Sequence, residues 1–136
     1  MPDSDMREEF NRSGPVDDVA RFSAQIGKVA EQLSGLAGSA ADPIAYAKRV
    51  VARLCPVVLP YHLDTAATFD FAGFNGRGLA DDVMDVMLTL ATNTALGDGV
   101  GPDKSRIRDV FPYFGEPYSN ADRTDVGHTQ TSKREW

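Results

Sequence analysis

The spacing of Val19, Phe22, Ile26, Val29, Leu33 and Leu36 constrains this chain more than any other feature. Alternating steps of three and four place all six on one side of an α-helix, and an apolar stripe of that kind must be covered by something. Gly14-Pro15 followed by Asp17 and Asp18 marks where the helix opens. Proline suits the first turn, and carboxylates there meet the positive end of the dipole. The Gly-, Ala- and Ser-rich segment 35–41 breaks it. The same spacing is also a heptad seam, but it is shorter than the three or four heptads that would establish a coiled coil, so packing within the domain is the expected use.

An αα-hairpin follows. Asp42-Pro43 is a capped start, and a second helix runs to about Leu54 with Ile44, Ala47, Val50, Val51 and Leu54 inward and Lys48, Arg49 and Arg53 toward water. Pro56 stops it. A third helix is predicted from just after Gly78 to about Thr94; Leu79, Val83, Val86 and Leu90 line one face, and Met84, Met87 and Leu88 make much of the rest apolar, which places it centrally. Between them the periodicity is lost. Phe69, Phe71 and Phe74 predict extended chain, at most a short strand, whose aromatics plug the edge of the helical layer. Phe111-Pro-Tyr-Phe-Gly115 is expected to clamp the core from outside.

The predicted fold class is therefore mostly α: a small three-helix-centred domain with long irregular loops and a polar C-terminal tail. Its organisation reads as a flexible N-terminus over 1–9, one helical domain over 10–118 and a tail over 119–136. A chain of 136 residues has room for one core, and its 42% apolar and 25% charged content is that of an ordinary globular protein.

Composition also excludes whole classes of function. Twenty acidic against fourteen basic residues give a net charge of -6, which disfavours nucleic acid and anionic membranes as partners. No run approaches the roughly 18 apolar residues that span a bilayer, so no membrane insertion is expected, and an acidic start without an apolar stretch reads as cytoplasmic. Cys55 is the single cysteine; it reads as a small buried hydrophobe ending a helix. His62 beside Asp64 is a loop histidine with no sign of a catalytic partner, and the glycine turn between Asp98 and Asp103 lacks the regular oxygen ligands of a calcium loop. Walker, dinucleotide, zinc-protease and nucleophile-elbow signatures are absent, so no catalytic residue, metal or cofactor is assigned and enzymatic activity is left open.

One internal echo remains. Asn11, Gly14, Asp17, Asp18 and Val19 recur, 64 positions on, as Asn75, Gly78, Asp81, Asp82 and Val83. Read structurally, these are two equivalent helix openings whose acidic pairs satisfy first-turn amides. Read functionally, Asn11, Asp17, Asp18, Asn75, Arg77, Asp81 and Asp82, with Asp85 nearby, could gather round a cation or polar ligand. The structural reading is favoured.

Four stretches carry a resemblance: 10–22, Val58-Leu-Pro-Tyr61, Phe74-Asn-Gly-Arg-Gly-Leu-Ala-Asp-Asp-Val-Met-Asp85, and Phe111-Pro-Tyr-Phe-Gly115. In order and spacing they resemble the C-terminal half of the bacterial domain of unknown function 4331 family, from about Phe10 to Pro117. The resemblance implies no reaction, since that family offers no established activity. Its typical members are longer, often exported, and begin with a Ser-His-Arg-Glu-Ala-Pro segment not found here. If half of such a domain is missing, its former contact surface is an exposed apolar patch unless another chain covers it. The expected function is thus a binding or assembly module, self-associating as a homo-oligomer or covered by a protein partner. The alternative is a small metal-dependent or ligand-binding enzyme using the acidic helix openings.

Overall fold

The computed structural model describes residues 4–119 and is mostly helical. The chain divides into two compact units, Met1–Pro102 and Asp103–Trp136. In the first lie α1 (Ser4–Arg12), a 3-10 turn (Pro15–Asp17), α2 (Asp18–Leu36), α3 (Pro43–Leu54), the two-residue strands β1 (Thr68–Phe69) and β2 (Phe74–Asn75), and α4 (Val83–Thr92).

The two helices with the plainest signals form where their residues demand. Pro15 opens the 3-10 turn that leads into α2. The Asp42 carboxylate accepts the Ala45 amide at 2.9 Å while Pro43 occupies the first turn of α3, which is the N-cap chemistry its sequence promises. The buried side of α2, however, coincides with only part of its apolar stripe. Asp18, Phe22, Ala30 and Ser34 are its buried residues, spaced in multiples of four. Gly27, beside that row, lets α2 and α3 approach closely: a Cβ there would stand only 3.2 Å from Val51 Cγ2.

The core consists of Ala30, Tyr46, Ala47, Val50 and Leu90, with Ile26, Leu54 and Phe74 packed on it. Tyr46 reaches across to α4, its hydroxyl donating to the Leu90 carbonyl at 2.5 Å. Burial pushes the Tyr46 phenol above its ordinary value, with Arg49 and Arg53 opposing. At the far end of α4 the Ser39 hydroxyl donates to the Thr92 carbonyl, and the Asn93 amide donates to the Ser39 carbonyl at 2.7 Å. These bonds fasten the end of α4 to the turn between α2 and α3.

Several expectations are corrected. The segment expected to be flexible over 1–9 contains most of α1, a helix whose Glu8–Arg12 pair at 2.9 Å has the favourable i,i+4 order. The last predicted helix begins later than Gly78, because the Asp81 carboxylate takes the Gly78 amide at 2.6 Å and closes a turn, leaving Asp82 to cap α4 through the Asp85 amide at 3.1 Å. That helix is also less central than predicted. Leu90 and Thr92 are its buried residues, whereas Leu79 before it and Met84 within it are exposed.

Arg53 does not simply face water. Its guanidinium donates to the Asp70 carbonyl at 3.1 Å and to the Phe71 carbonyl, and lies 4.6 Å from the centre of the Phe74 ring. This clamps the β1–β2 hairpin to α3. Within the hairpin Thr68 pairs with Asn75, the Phe69 and Phe74 rings stack at 4.3 Å, and Asp70 accepts the Ala72 and Gly73 amides to shape the turn. Of the three aromatics predicted to plug the core edge, Phe74 does so and Phe71 is exposed.

In the second unit, Ile107 and Phe114 form an isolated antiparallel bridge, Gly115 donates to the Arg106 carbonyl at 2.7 Å, and the Arg106 guanidinium covers the Tyr118 ring. Within this unit Phe111, Tyr113 and Phe114 are exposed, because the short ladder holds backbone without enclosing a core of its own. Beyond Ser119, the predicted polar tail lies outside the described residues.

Candidate functional site

Two surfaces on the first unit carry more apolar area than packing explains, and both involve α2. The first is the outward part of its stripe. Phe22 is buried and Ile26 half-buried, but Val19, Val29, Leu33 and Leu36 remain 52%, 40%, 37% and 87% exposed. The buried row shares Phe22 and Ile26 with the stripe and departs from it toward the C-terminal end, where Ala30 and Ser34 are buried and Val29, Leu33 and Leu36 are left outside. An isolated apolar side chain on a surface needs no explanation, whereas Val29, Leu33 and Leu36 lie within two turns of one another on one helical side.

The second surface is a groove of about 720 Å³ between α1 and the other three helices. Met6 and Phe10 of α1, Ile26 of α2, Leu54 of α3, and Met87 and Leu90 of α4 supply its walls. It exists because α1 stands away from α3 and α4 and is tied to α2 at one end. There Phe10 packs edge-on against Phe22 at 5.1 Å, and Arg21 pairs with Glu9 at 3.3 Å. The polar side chains on the wall are Arg7 and Gln25. The sequence carries a faint signal for this wall, the i,i+4 pair Met6 and Phe10; composition alone does not single it out.

The residues of the internal echo occupy two dissimilar settings. Asp82 caps α4 and Asp81 holds the Gly78 amide, as above. The Asp85 carboxylate accepts the Asp98 amide at 2.8 Å, tying the glycine turn back to α4. Asn75 is a bracket for the preceding loop: its carbonyl oxygen accepts the His62 amide at 2.8 Å, and its amide group donates to Thr65 Oγ1 and the Ala66 carbonyl. Arg77 is exposed.

At the other opening, Asn11 lies exposed on α1, and Asp17 sits at the N-cap of α2 without a side-chain capping bond. Asp18 is 2% exposed, and its carboxylate accepts the Val57 amide at 2.8 Å, pinning the chain beyond α3 to the start of α2. The two openings are therefore not equivalent, although their residues match. Among the described residues no group of three or more His, Cys, Asp or Glu side chains could hold a metal ion. None of these contacts favours a ligand over the local amides already bound.

Cys55 is partly buried at the end of α3. Burial, and then the Asp18 carboxylate, push its thiol above the ordinary value, which keeps it protonated and a poor nucleophile. Among the described residues no helix is long and apolar enough to cross a membrane. Comparison with protein-family models, curated proteins and solved structures found no match for the chain.

Proposed function

We propose that this chain is a non-enzymatic binding or assembly module whose α2 stripe is covered by a second copy of itself. What carries the reading is the exposure of Val29, Leu33 and Leu36 on a single helical side while Ala30 and Ser34 beside them are buried. Charge supports a like partner. The positions flanking the stripe include Ser23, Gln25 and Gln32, so two such helices meet without like-charge repulsion in spite of a net charge of -6. A two-fold arrangement then presents the same patch from both sides. The likeness to the C-terminal half of the domain of unknown function 4331 family belongs to the same proposal, since a face that meets another half in such a domain is apolar and suits a protein cover.

The test places charge on the patch. Leu33→Glu combined with Leu36→Glu should yield a monomer in sedimentation velocity with the helical circular dichroism retained, because both side chains already face water in the isolated chain. An assembly of undiminished mass in that variant would remove α2 from the interface.

A further inference from the structure

The groove behind α1 has features that the assembly surface lacks. Its volume, about 720 Å³, falls within the roughly 300–1,000 Å³ of small-molecule sites, and its walls are apolar side chains from four helices. Charge is distributed unevenly around it. On α1, Glu8 is taken by Arg12 and Glu9 by Arg21, and these residues line a separate polar depression with Asp5 and Ser13. Arg7 lies on the groove wall instead, and among the described residues its side chain has neither an ion pair nor a hydrogen bond. Gln25 adds a second polar group to the same wall.

We propose that this groove binds a single-chain amphiphile with a carboxylate head, the alkyl tail lying between α1 and α4 and the carboxylate on the Arg7 guanidinium. The planar fork of arginine matches a carboxylate in a bidentate manner, and a flexible alkyl chain suits a slot lined by Met6 and Met87, whose unbranched side chains adapt their shape. An apolar ligand without a charge would leave Arg7 unused, and a cationic one would be repelled by it. Val29 lies on both surfaces, whereas Leu33 and Leu36 are outside the groove wall and Arg7 is outside the stripe, so the Leu33→Glu, Leu36→Glu variant tests assembly and Arg7→Gln tests this site.

Isothermal titration of the full chain with decanoate, below its micelle concentration, tests the proposal. One decanoate should bind per chain, with decyltrimethylammonium, which has the same tail length, at least about ten-fold weaker. Arg7→Gln should weaken decanoate by about ten-fold without weakening decyltrimethylammonium, and because Arg7 is an exposed residue of α1 the circular dichroism should not change. Equal affinity for the two amphiphiles, unchanged decanoate binding by the Arg7→Gln protein, or no heat up to millimolar decanoate would overturn it. So would binding to phosphatidylglycerol vesicles by a protein that takes no free decanoate.

Discussion

Asp18 is a charged side chain buried where α2 begins. Its position beside Asp17 after Gly14-Pro15 suggests a carboxylate turned to its own helix opening. In the structure it is buried and serves a distant amide, that of Val57, in a place where an unmet donor would cost about 1–3 kcal/mol. Asp18→Ala should therefore lower unfolding free energy by an amount in that range, measured in urea. The neighbouring thiol supplies an independent check. Asp18 is the second cause, after burial, of the raised Cys55 value, so Asp18→Asn should speed iodoacetamide alkylation of the folded protein while leaving it slower than a free thiol. The linkage has a definite sign. Folded protein keeps the Cys55 proton that unfolded chain releases, so this contribution to stability is full below the ordinary thiol value and is lost as alkaline pH rises through the raised one. Slower alkylation in Asp18→Asn would contradict the assigned contact.

Among the elements, α3 was the most legible, because Asp42-Pro43 encodes its start and Pro56 its limit through backbone chemistry that no tertiary contact overrides. For α2 the periodicity locates the helix and only part of its buried side. The stripe and the buried row share Phe22 and Ile26 but part beyond them, where close approach to α3 favours Gly27, Ala30 and Ser34 over Val29 and Leu33, and only the fold decides between them. The start of α4 was displaced because Asp81 and Asp82 look alike in sequence and do different work, one closing a turn and one capping. Helix α1 carries no comparable signal: a nine-residue charged segment has little helical stability alone and takes its order from ion pairs and the Phe10–Phe22 contact. The unequal openings yield a differential prediction. Asp82→Ala should cost about 1 kcal/mol through the lost cap, whereas Asp17→Ala, without a side-chain bond to lose, should cost about 0.3 kcal/mol from the dipole alone. Paired urea titrations decide it, and equal losses would restore the symmetry suggested by the echo.

For the molecule as a whole, the mostly helical class was readable from spacing, and the absence of standard catalytic signatures was readable from motif. The candidate surfaces were not. A groove requires knowing that α1 exists and stands apart from α4, and an uncovered stripe requires knowing which row of α2 meets α3. Both depend on relations between helices that no local window contains. The same geometry leaves apolar area from α2 facing water in a chain of 14.7 kDa, and that area is the reason to expect a partner of the same kind. Light scattering coupled to size exclusion, run on the unaltered chain over a range of micromolar concentrations, addresses this most directly. The account predicts a mass of at least twice 14.7 kDa that falls on dilution. A constant mass of one chain throughout would contradict it.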